Sequence, residues 1–92
     1  MNPEALGDAI DAYIWDEHSA IPGRHPERVP DAAVRAEVEE VIRRSDAIRP
    51  DETASDLMGW ADREAVALAA AYDGLSPRGV RALRDLLSWS WR

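Results

Sequence analysis

Cysteine, lysine, glutamine and phenylalanine are all missing from this chain of 92 residues. Without cysteine there are no disulfide staples, no thiolate nucleophile and no soft metal ligand, so the fold rests on its apolar core and needs no oxidising compartment. Without lysine as well, a side-chain nucleophile would have to be a serine, and none sits in a G-x-S-x-G setting. All 11 basic residues are arginine, a usage that fits GC-rich coding. Nowhere do about 18 apolar residues run together, and Met1-Asn2-Pro3-Glu4 puts no basic run ahead of an apolar stretch, so the expectation is a soluble, cytoplasmic protein with no membrane contact.

What the chain does have is charge sorted by segment. The net charge is −7, with five acids and no arginine in residues 1 to 19, six acids and one arginine in 50 to 74, and one acid against four arginines in 75 to 92. Acidity of this size works against non-specific adhesion to nucleic acid or anionic lipid, which depends on clustered cations releasing counterions. Any nucleic-acid contact would be local to the C-terminal segment. An acidic first helix lying beside a basic last helix would account for part of the sorting without any partner.

The patterning is helical outside one proline-rich stretch, and it predicts a single all-α domain of about four helices, near residues 3–18, 31–47, 56–73 and 77–90, packed as a bundle or orthogonal array. Asn2 and Pro3 open the first, with Leu6, Ile10, Tyr13 and Ile14 on one face and Glu4, Asp8 and Asp11 opposite. At 100° per residue Trp15 falls among the acids, on the water side. Pro22, Gly23, Pro26 and Pro30 make residues 19–30 an ordered but irregular connector. Asp31 caps a second helix with a stripe of Val34, Val38, Val41, Ile42 and Ile48, tied outside by Glu39 with Arg43 and Glu40 with Arg44 at i, i+4.

A third helix begins between Thr53 and Asp62, with Leu57, Ala61, Ala65, Leu68 and Tyr72 inward; its many alanines make it the expected central element. Gly74 fits the left-handed position beyond its end, and Ser76-Pro77 opens a fourth helix that buries Val80, Leu83, Leu86, Leu87 and Trp91 and turns Arg78, Arg81, Asp85 and Arg92 outward.

Candidates for chemistry are few. Asp16, Glu17, His18, His25 and Glu27 carry metal-ligating groups, but the two histidines lie across a proline-rich loop and lack the i, i+4 spacing that puts imidazoles on one helical face. They read as solvated side chains, and neither a metal nor another cofactor is expected. Neither histidine has an orienting carboxylate at a fixed offset, and Glu39 and Glu40 point in different directions, so the chain reads as no enzyme. Leu83-Arg84-Asp85-Leu86-Leu87 fits LxxLL, as any amphipathic helix can, and Ser88-Trp89-Ser90-Trp91-Arg92 could serve as a docking peptide.

The segment from Ala70 through Gly74, Leu75, Ser76-Pro77 and Val80 to Leu83 resembles the helix-turn-helix core: a small residue four before a turn glycine, an apolar residue after it, then apolar residues at plus six and plus nine. The resemblance implies a small DNA-binding regulator with Arg78 and Arg81 facing the groove and Arg84 flanking. Asp73 stands where that pattern is normally apolar, and Asp85 would point toward phosphates. A plain helix-helix turn with good cap chemistry explains the same residues.

Four tryptophans complete the inventory, because indoles supply binding energy at interfaces and also fill cores. Trp60 and Trp91 fall near core stripes; Trp15 and Trp89 do not. The leading expectation is therefore a small acidic, non-enzymatic protein-binding module, whether regulator, inhibitor or immunity-type protein, or assembly adaptor. It would engage a basic protein through Glu4, Asp8, Asp11 and Trp15, with Trp89 as a second anchor. On that reading Trp15→Ala leaves the thermal midpoint nearly unchanged.

Overall fold

The computed structural model describes residues 2–18, 20–50, 56–72 and 74–91. The helix start as early as Thr53, the irregularity at Asp73 and the outward Arg92 lie outside the described residues. Four helices, α1 (Pro3–Ile14), α2 (Ala32–Asp46), α3 (Leu57–Ala70) and α4 (Pro77–Ser90), pack against one another with no strand among the described residues, and one 3-10 turn, Pro26–Arg28, interrupts the connector.

Cap chemistry sets three of the four helix starts. The Asn2 side chain accepts from the Ala5 N–H at 2.7 Å, Asp31 accepts from Ala33 and Val34 at 2.9 and 3.1 Å, and Ser76 Oγ accepts from Gly79 at 3.2 Å, each satisfying donors that the first turn leaves without partners. Helix α3 starts at Leu57 after Asp56, which makes no such side-chain bond. At the far end of α3, Gly74 has φ +82°, the left-handed conformation expected for it, and its N–H reaches the Ala69 carbonyl at 2.9 Å.

The core joins the inward stripes of all four helices: Leu6, Ile10, Tyr13 and Ile14 from α1, Val38, Val41 and Ile42 from α2, Trp60, Ala61 and Ala65 from α3, and Ala82, Leu83, Leu86 and Leu87 from α4. Val80 and Trp91 are only half-buried, and Arg49 stacks over the Trp91 ring at 5.5 Å. On α2, Glu40 rather than Glu39 receives Arg43, and it also holds Arg44 at 3.3 Å. One carboxylate thus serves two arginines.

The central element is α4, not the alanine-rich α3. Helix α4 packs extensively on both α1 and α3, whereas α3 meets α2 lightly. Alanine content predicted close approach correctly in kind but misplaced it, because the tightest crossing is made by two glycines. A Cβ on Gly79 would stand 2.5 Å from Gly7 Cα, and a Cβ on Gly7 would stand 2.8 Å from the Ser76 nitrogen. Both obstacles are backbone, so neither can swing aside. Alanine at position 79 should gain about 1 kcal/mol of helix propensity but lose more to forced separation of the helices, for which overpacking costs of about 1–3 kcal/mol are usual. Chemical denaturation of Gly79→Ala is therefore expected to show a net loss of stability; a midpoint equal to or above that of the parent would contradict the crossing.

Candidate docking hollow at the Trp15 and Trp89 end

Helix α1 ends at Ile14, earlier than its hydrophobic pattern suggests, because the connector returns to occupy its last carbonyls. Gly23 N–H donates to Ile14 O at 2.9 Å, His25 N–H donates to Tyr13 O at 2.7 Å, and the Arg28 guanidinium donates to the Trp15 carbonyl. Arg24 then fastens the connector to the end of α2 through Asp46 at 2.7 Å. Trp15 consequently has extended backbone, φ −114° and ψ 119°, and leaves the helical wheel. Its indole is half-buried and packs on the core rather than standing among the acids of α1.

That displacement brings Trp15 to Trp89. The two line one open hollow of about 300 Å³ with Ile21 and Pro22 from the connector, Met58 from the first turn of α3, and Asp85 from α4. Ile21, Met58 and Trp89 remain 46%, 45% and 38% exposed, a concentration of large apolar side chains at one end of a small acidic protein. Asp85 holds Arg84 at 3.1 Å, so its charge is partly answered on the rim. Asp62 lies one turn beyond Met58 on α3, and Glu17 is exposed two residues beyond Trp15.

The acids of α1 differ in their surroundings. Glu4 and Asp8 are exposed, eleven and seven residues before Trp15 in the chain, and Ser76 Oγ reaches the Asp8 carboxylate at 3.4 Å. Asp11 is half-buried at the α1–α4 boundary, where burial raises its pKa above the usual carboxylate value although Arg78, Arg28 and Arg81 pull the other way. The basic arm of α4 is thus spent partly within the molecule: Arg78 and Arg81 are exposed but act on Asp11, and Arg84 pairs with its neighbour Asp85.

Of the two histidines, His18 is solvated as expected, with its side chain 86% exposed beside Glu17. His25 is not: its side chain is only 21% exposed and its Nδ1 lies 3.6 Å from Glu27 Oε1.

Compared with known proteins, the chain matches no family model, no curated protein and no solved structure.

Two outcomes follow from these placements. Because the native state raises the pKa of Asp11, it binds that proton more readily than the unfolded chain, and stability falls as pH rises from the ordinary carboxylate range through the raised value. Asp11→Asn should therefore gain stability relative to the parent at neutral pH and lose that advantage near pH 3, as read by thermal midpoints at both pH values. Trp15→Ala should cost on the order of 1–2 kcal/mol, since the half-buried indole forfeits part of the 3–5 kcal/mol typical of a fully buried one. Trp89→Ala, at the more open side of the hollow, should cost less than Trp15→Ala in the same thermal measurement.

Proposed function

We propose that the protein is a non-enzymatic binding module that engages a basic protein partner, acting as a regulator, an inhibitor of the immunity type, or an assembly adaptor. The observation that carries the reading is the convergence of Trp15, Ile21, Met58 and Trp89 on one open hollow in a chain of net charge −7. Indoles give large contact area at small entropic cost and a flexible thioether adapts to the shape it meets, which suits them to anchor a partner's apolar side chain. Glu4, Asp8, the exposed Glu17 and the general acidity steer a cationic surface toward the site and bias orientation, while the buried contact supplies residence time. Asp11 belongs to this surface only in part, since it also serves the α1–α4 boundary.

The alternative reading, a small DNA-binding regulator, would use Arg78, Arg81 and Arg84. The placement of Arg78 and Arg81 close to Asp11, and of Arg84 on Asp85, reduces the positive field such a protein needs at the phosphates.

The test uses the full chain as bait in an extract of its native host, with Trp89→Ala and the double variant Glu4→Gln, Asp8→Asn as parallel baits, and with immobilised duplex DNA as a separate matrix. The proposal expects a basic protein retained by the parent. Loss of the indole should weaken that binding by more than about 1 kcal/mol, and the charge variants should slow association and flatten its salt dependence. Retention on DNA that disappears in the Arg78→Ala, Arg81→Ala variant would instead establish the nucleic-acid reading. A partner held equally well by Trp89→Ala would remove the hollow from the interface.

A further inference from the structure

The connector carries a second cluster, separate from the hollow. Asp16, His25 and Glu27 each offer one ligand atom, and the three atoms lie within 4.8 Å of one another. We propose that these three side chains form a binding site for a divalent transition cation of the zinc class, independent of the docking function.

The donor set suits such an ion. One imidazole nitrogen and two carboxylate oxygens make a mixed nitrogen–oxygen site of borderline softness, with water completing the shell. Ligand bonds of about 2.0–2.2 Å place neighbouring donors of a tetrahedral centre roughly 3.3–3.6 Å apart, and the His25 Nδ1 to Glu27 Oε1 separation is already 3.6 Å. The third donor, from Asp16, lies within 4.8 Å of both. The His18 backbone N–H donates to Asp16 Oδ1 at 3.0 Å and so holds that carboxylate in place.

Backbone hydrogen bonds position the three donors. The Gly23 and His25 N–H bonds to Ile14 and Tyr13 fix the imidazole beside the end of α1, where Asp16 leaves the helix. The 3-10 turn Pro26–Arg28, closed by Arg28 N–H and Val29 N–H on the His25 and Pro26 carbonyls at 3.0 Å each, then presents Glu27 to the same point. His25 is mostly covered while Glu27 is exposed, so an ion has both a fixed ligand and a path to water. Arg28 is the opposing feature: its charge acts on Asp16, although its guanidinium is engaged with the Trp15 carbonyl. It weakens the hold of the site on a cation.

His18 supplies an internal control, being adjacent in sequence but paired with Glu17 in solvent. The experiment is calorimetric titration of zinc chloride into the full, chelator-treated chain near neutral pH, repeated on His25→Gln, Glu27→Gln and His18→Gln, with circular dichroism to verify the fold of each. Expected are one Zn²⁺ per chain, a thermal midpoint that rises with zinc, loss of binding in His25→Gln, weakening by more than about tenfold in Glu27→Gln, and no change in His18→Gln. Should His25→Gln fail to fold, the exposed Glu27→Gln decides the matter alone. No saturable binding by the parent, binding that Glu27→Gln leaves intact, or binding that depends on His18 would each overturn the assignment.

Discussion

The close crossing of α1 and α4 is the constraint on which the other arrangements depend. Gly7 and Gly79 remove the side-chain layer that normally separates two helices, so the Gly7 backbone occupies the place of a Cβ on Gly79, and Ser76 at the start of α4 that of a Cβ on Gly7. Such proximity has an electrostatic consequence. The most acidic helix and the most basic one become neighbours, and Asp11 feels Arg78 and Arg81 across the boundary. Charge sorting along the chain is therefore partly a folding device, with opposite signs placed on the two elements that must approach most closely. Since these pairs remain substantially solvated, their energetic contribution is small beside the buried apolar stripes, and their value lies in orientation.

Once α4 is fixed against α1, the C-terminal end of each helix falls at a determined place, and the connector fills the space between. The connector is ordered by a division of labour. Pro22 and Val29 are buried, Gly23 and His25 give their N–H groups to the last carbonyls of α1, and Arg24 and Arg28 reach out to Asp46 and the Trp15 carbonyl. A helix C-terminus normally leaves carbonyls to water or to a glycine cap; here a returning segment takes that role. The same bonds place Ile21 and Pro22 in the wall of the hollow and His25 beside Asp16.

Local chemistry was legible in the sequence wherever it was self-contained. Asn2-Pro3, Asp31 and Ser76-Pro77 announce their helices because each cap satisfies donors within three residues, and the apolar stripes identify the core because helical geometry is regular. Gly74 was legible for a similar reason: a left-handed residue after an apolar stripe has few alternatives. What escaped depends on distant partners. Trp15 was assigned to the acidic face by extending the 100° rotation one residue beyond Ile14, where bonds from Gly23 and His25 have already ended the helix. The predominance of α4 escaped because Gly7 and Gly79 are 72 positions apart and neither glycine alone signals a crossing. Asp16, His25 and Glu27 escape as well, since their spacing fits no helical template. The signal available is the fixed φ of Pro22, Pro26 and Pro30, which restricts the paths a short connector can take.

The two tryptophans outside the core stripes show how such a pattern can be informative even when its geometric rationale fails. Neither Trp15 nor Trp89 fits the stripe of its own helix, and each reading in isolation gives only an indole without an obvious burial site. Both misfits occur near a helix C-terminus, one in α1 and one in α4. The crossing at Gly7 and Gly79 lies near the N-terminal parts of these helices, leaving their ends to be bridged by larger side chains and by the connector. The glycine contact and the indole-lined hollow thus fall at different positions along the same two helices. That hollow sets Trp15, Ile21, Pro22, Met58 and Trp89 beside the polar Asp85 and Ser88, so the apolar area it exposes is bordered by hydrogen-bonding groups.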